Sequence, residues 1–143
     1  MTTDKVLVDT SVWIFALKRG AVETVRHRVD RLLQEDRILT TGLIRLELLS
    51  GTKTQTEFRR LKKRMESLAT IETDNALWQD ASELGFALKR TGITVPATDI
   101  VIAACGIKAG AMLMHADRHF ELITAATQLE TENLIPLITA HRQ

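Results

Sequence analysis

A chain of 143 residues, 45% hydrophobic and 26% charged, carries enough apolar side chains for one continuous core and lacks the composition of disorder. Its single cysteine, Cys105, excludes an intramolecular disulfide and, within the apolar run IVIAAC, reads as a buried, inert thiol in a reducing compartment. A net charge of +1 neither demands nor excludes a polyanionic partner, and neither the N-terminal MTTDKVLVD nor any later run resembles a leader or a membrane span, so the expectation is a soluble, cytoplasmic, single domain over residues 1–143.

In chain order, VLV at 6–8 predicts a short buried strand that closes on Asp9. Thr10 and Ser11 then suit the start of a helix through VWIFAL. Gly20 interrupts, and Val22, Val25, Val29, Leu32 and Leu33 recur at helical spacing. RILT at 37–40 predicts a second strand, and Gly42 leads into the helix LIRLELLSG. Helices are expected over 55–68 and 74–91. TGITVPATD then connects to the apolar helix DIVIAACGIKAG, with Thr98 as its N-cap. AMLMH predicts a buried strand, HFELITAATQL a helix, and NLIPLI a last strand whose Pro136 implies an edge position. Short apolar strands alternating with helices imply an α/β fold, a three-layer α/β/α arrangement around a central parallel sheet.

Four acids stand out against that background. Asp9 and Asp117 follow strands directly, at the carboxyl edge where open parallel sheets collect ligands, although either alone could be a turn former or a cap. Glu47 falls among the apolar positions of its helix, where a carboxylate needs a metal or a cationic partner such as Arg45 or Arg118. Asp99 opens a helix that is apolar nearly all round, so its dipole-favoured place in the first turn is also a deep one. Carboxylates converging at about 5 Å would repel by ~3 kcal/mol per pair at an effective dielectric near 20, which implies a cation. Oxygen donors without a Cys or His cluster select Mg²⁺ or Mn²⁺ rather than zinc, and the chemistry best served is metal-assisted attack of water on a phosphodiester.

The segments VLVDTSVWI (6–14), TTGLIRLELLSG (40–51), PATDIVIAA (96–104) and LMHADRHFELI (113–123), in this order and spacing, resemble the PIN-domain family, and within it the VapC toxins of toxin–antitoxin pairs. The resemblance spans essentially the whole chain. It implies a metal-dependent endoribonuclease with Asp9, Glu47, Asp99 and Asp117 as the acidic quartet and Asp9 and Asp99 as direct metal ligands. Ser11 and Thr98 match hydroxyl positions beside that site, whereas His115 stands where the family pattern often has Thr or Ser. The implied partners are RNA, a cognate VapB-type antitoxin that presents an Arg to the carboxylates, and a second copy of the chain in a homodimer.

The remaining polar clusters read more simply. Arg59, Arg60, Lys62, Lys63 and Arg64 lie opposite Phe58, Leu61, Met65 and Leu68 on a helix, which describes a solvated face. The alternative is an RNA-backbone patch centred on Arg59, Arg60 and Lys63 and extended by Lys18, Arg19, Arg26 and Arg28. His115 and His119 flank Asp117 and read as a strand-end and a helix-surface residue. With only 4% aromatics, no stacking platform for bases is evident. Two other function classes fit acids at strand ends: a catalytically silent PIN-like binding module and a phospho-acceptor receiver domain. The receiver needs a Lys closing its last strand, and NLIPLI has none.

Overall fold

The computed structural model describes residues 4–17 and 22–142, so Lys18, Arg19 and Gly20 lie outside the described residues. Strands β1 (Val6–Val8), β2 (Ile38–Thr41), β3 (Ala69–Ile71), β4 (Met112–His115) and β5 (Thr131–Asn133) form one sheet in the order β3-β2-β1-β4-β5, every pair parallel. β1 is the middle strand, and Val6, Leu7 and Val8 are all fully buried, as expected where helices cover both faces of a parallel sheet. The helices are α1 (Thr10–Leu17), α2 (Glu23–Gln34), α3 (Gly42–Ser50), α4 (Gln55–Glu66), α5 (Asn75–Arg90), α6 (Ala97–Ala109), α7 (His119–Ala126) and α8 (Ile135–Arg142). α1 packs on α2 and α3, and α2 on α8, while α6 lies between α5 and α7. Residues 101–106 of α6 are buried without interruption, which accounts for its apolar sequence all round.

The chain folds outward from β1 in both directions, through β2 to β3 on one side and from β4 to β5 on the other. The sheet therefore has its topological switch point between β1 and β4, where Val8 is in register with Met114. This order differs from the 2-1-3-4-5 order of receiver domains and removes that reading.

Three expectations need correction. The last strand is Thr131–Asn133, not NLIPLI; the segment after it leads into α8, with Leu134 just before the helix and Ile138 within it both buried. Asn133 Oδ1 accepts the Ile135 N–H at 2.9 Å, and Pro136 falls in the first turn, where its missing N–H costs nothing. Strand β3 was not anticipated; it is three residues long, and only Ile71 of them is buried. α6 begins at Ala97 with Pro96 at its N-cap, so Thr98 is an exposed residue of the first turn rather than the cap. The same helix ends as expected, at Gly110 in the left-handed conformation (φ 60°).

Candidate metal centre

The site is built on the carboxyl ends of β1 and β4. The Asp9 N–H donates to the Met114 carbonyl at 2.9 Å, extending the ladder by one residue and aiming the carboxylate into the crevice beyond the sheet. Ser11 then ties the two strand ends together: its hydroxyl donates to Asp9 Oδ2 at 2.6 Å and accepts the Ala116 N–H at 3.0 Å, while its own N–H reaches Asp9 Oδ2 at 3.0 Å. Burial raises the Asp9 pKa above its ordinary value, the Ser11 bonds pull it back, and the charge of Glu47 adds to the rise. Ser11→Ala would leave the Ala116 N–H without its acceptor and remove the strongest support of the Asp9 carboxylate. The expected cost is about 1–2 kcal/mol in denaturant unfolding, and a loss of only a few tenths would show that water replaces the hydroxyl.

Glu47 does not form the ion pair considered from sequence. It is half-buried on α3 and accepts the Thr10 hydroxyl at 2.7 Å, whereas Arg45 turns away to Thr70 Oγ1 and the carbonyls of Met65 and Leu68. Its apolar neighbour Leu46 is largely exposed, so the apolar positions around Glu47 do not all face the core.

The N-terminus of α6 brings Asp99 against the end of β4. Asp99 is 8% exposed, and its Oδ2 is buried without a hydrogen-bond partner. Its pKa is pushed up to about 6, first by burial and then by the charges of Asp117 and Asp9, with His119 acting in the opposite direction. Asp117 accepts the His119 N–H at 3.0 Å through Oδ1. Asp99, Asp117 and His119 each offer a ligand atom within 4.8 Å of the others. Asp9 stands outside that tight group yet close enough for its charge to raise Asp99, and the charge of Glu47 in turn raises Asp9. Asp99 and Asp117 are thus brought together with His119, while Asp9 and Glu47 are linked to them one after the other through their charges.

Sequence reasoning missed two contributors. His119, expected on a helix surface, opens α7 and turns its ring into the crevice, with Nδ1 3.0 Å from Asp117 Oδ1 and 3.2 Å from Asp99 Oδ2. His115 is fully buried and supports the loop from below: its Nδ1 accepts the Asp117 N–H at 3.2 Å, which leaves the proton on Nε2 to donate to Glu121 Oε1 at 2.8 Å. The signal for both was their place two residues either side of Asp117. Beside the acids, Ser11, Phe15, Asp117, Arg118, Ile135 and Ile138 line a cavity of about 390 Å³. Elsewhere, burial pushes the Cys105 thiol up to about 11, in keeping with an inert core residue. Arg59, Arg60 and Lys63 are exposed on α4, while Met65 of that helix is buried.

The residues present fit a divalent cation. A buried carboxylate oxygen without a donor, a ring nitrogen likewise unpartnered and a second carboxylate converge where burial and like charge already disfavour ionisation. Among the described residues, no helix is long and apolar enough to cross a membrane.

The PIN domain family model matches residues 6–126, a span that contains all four acids and both histidines. Ribonuclease VapC11 of Mycobacterium tuberculosis is 32% identical over 130 residues, covering 87% of this chain and 96% of its own. Ribonuclease VapC21 of the same organism is 30% identical over 141 residues, covering 96% of this chain and 99% of its own. In fold, the chain is similar to a structure of VapBC2 from Rickettsia felis bound to a DNA fragment from their promoter, with a TM-score of 0.73 and 20% identity over 90% of this chain and 97% of that one. With a family match over most of its length, two full-length VapC relatives and the sheet order described above, this chain belongs to the PIN-domain family, in its VapC branch.

Proposed function

We propose that this chain is a metal-dependent endoribonuclease, the toxin of a VapBC-type pair, acting in the cytoplasm as a single PIN domain over residues 1–143. What supports the reading is the grouping of Asp99 and Asp117, charge-coupled to Asp9 and through it to Glu47, beyond a parallel sheet in a chain whose relatives are ribonucleases. Asp99, Asp117 and Asp9 would hold Mg²⁺ or Mn²⁺, with Glu47 at the edge of the shell. When bound, the ion supplies Lewis-acid polarisation of a phosphodiester oxygen and a lowered pKa for attacking water.

The chain's own part is electrostatic and positional. Four carboxylates facing one crevice repel an RNA phosphate, so substrate binding there depends on the cation. Ser11 and Thr10 hold Asp9 and Glu47 in place through their hydroxyls, so little reorganisation remains when substrate arrives. The adjoining cavity, apolar at Phe15, Ile135 and Ile138 and cationic at Arg118, would seat a nucleotide next to the scissile bond. Thr98, exposed in the first turn of α6, would meet substrate rather than hold Asp99.

Arg59, Arg60 and Lys63 are the proposed backbone contacts for RNA outside the crevice. Replacing all three with glutamine should flatten the slope of log affinity against log salt by about 2, at roughly 0.7 per single-strand phosphate contact. An unchanged slope would leave α4 a solvated face. A VapB-type antitoxin and a second copy of the chain are the proposed partners. An antitoxin arginine laid across the carboxylates would compete with metal, because a guanidinium can bridge two of them bidentately.

Induced expression followed by sequencing of new RNA 5′ ends tests the reading. The wild type should arrest growth and create recurring new ends, and Asp99→Asn should do neither. Growth arrest that survives Asp99→Asn without new ends would favour the silent binding module instead.

A further inference from the structure

His119 opens α7 with its ring one-third exposed, but its Nδ1 is buried. That nitrogen lies 3.0 Å from Asp117 Oδ1 and 3.2 Å from Asp99 Oδ2, distances at which an imidazolium would normally hydrogen-bond one carboxylate. No well-formed hydrogen bond results: Nδ1 and Asp99 Oδ2 are both buried and make no hydrogen bond of ordinary geometry, although the two groups are close enough for His119 to favour the ionised Asp99. Asp117 Oδ1 instead accepts the His119 backbone N–H at 3.0 Å, which fixes that carboxylate relative to the ring. Two adjacent donors in an octahedral shell with metal–ligand bonds near 2.1 Å sit about 3 Å apart, and the two measured separations fall close to that spacing.

From this we propose that His119 is a nitrogen ligand of the divalent-metal site and shifts its preference from Mg²⁺ toward Mn²⁺. The proposal rests on the metal reading given above. The chemistry is that of the donor set: Mg²⁺ takes oxygen ligands and keeps its waters, whereas an imidazole nitrogen suits first-row transition ions. One nitrogen among carboxylates falls short of the nitrogen- and sulfur-rich sets that select zinc, so Mn²⁺ is the ion whose binding gains most from His119.

The test uses the full chain and the metals alone. Mn²⁺ and Mg²⁺ are titrated calorimetrically into the wild type, His119→Ala, His119→Gln and Asp99→Asn, and the Mn²⁺-loaded proteins are examined by pulsed electron paramagnetic resonance. The expected result is a directly coupled ¹⁴N nucleus in the wild type that disappears in both His119 variants. Mn²⁺ affinity should fall at least tenfold in those variants, since even outer-shell partners carry about 10- to 100-fold, while Mg²⁺ affinity stays close to that of the wild type. Tight Mn²⁺ binding with no nitrogen coupling, unchanged by either His119 variant and lost in Asp99→Asn, would overturn the proposal and leave the acidic metal site standing. Failure of the wild type to bind either ion would remove both.

Discussion

Replacing Asp99 with asparagine should reduce RNA cleavage by about a hundredfold or more and at the same time make the metal-free protein more stable. The two effects share one cause. Asp99 is buried beside Asp117 and Asp9, and its pKa in the folded protein is pushed from 3.8 to about 6. A group whose folded pKa is raised contributes stability that is fully present below its unfolded value and is lost as pH rises through the folded one. For Asp99 that window runs from 3.8 to about 6, so at neutral pH the ionised side chain costs the metal-free fold about 3 kcal/mol, at 1.36 kcal/mol per unit. Asparagine keeps the shape and removes the charge. In EDTA at pH 7 the variant should melt above the wild type by about 6–12 °C, and the gap should narrow toward pH 4 as the wild-type carboxyl takes up its proton. A variant that melts below the wild type at pH 7 would mean that the carboxylate has a stabilising partner and is not strained against its neighbours.

Phe120→Ala should be the most damaging core substitution for the site. Phe120 is fully buried, and its ring lies 5.2 Å from that of His115, tilted by 49°. Truncating such a ring costs about 3–5 kcal/mol, a large part of the 5–15 kcal/mol that holds a domain of this size. Its position gives it a second effect, because it stands in α7 between His119, against the acids, and Glu121, the partner of His115. A cavity there loosens the supports of Asp117 from both sides. Divalent-metal affinity should therefore fall together with stability, whereas Leu32→Ala, equally buried but on α2, should cost stability alone. Equal metal affinity in the two variants would separate the core beneath α7 from the site.

The sequence was most informative where burial acts on both faces at once. VLV, MLMH and the IVIAAC helix could only be central, and the acids that follow or precede them could only lie at the carboxyl edge. Edge elements carry no such constraint. Ala69–Ile71 and Thr131–Asn133 are three residues long, largely not buried and paired on one side, so nothing in their side chains separates them from loop. α8 was mistaken for a strand because LIPLI is apolar at nearly every position, and only the Leu134 to Ile138 spacing under an Asn133 cap reveals the helix. Within the site, carboxylates were visible singly, through their cost of burial. Their neighbours were not, because what Thr10, His115 and His119 meet is decided by tertiary approach: Thr10 reaches Glu47 across 37 residues, and His119 reaches Asp99 only once α6 and β4 are docked.

The most direct test of the account is cleavage of a labelled RNA by the purified chain, titrated with Mn²⁺ or Mg²⁺ from a chelated start, beside an Asp9→Asn, Asp99→Asn double variant. Cleavage by the wild type should rise from zero with metal and vanish again with EDTA, and the folded double variant should stay inactive at every concentration. Full cleavage by the double variant in EDTA would contradict the metal-centred mechanism outright.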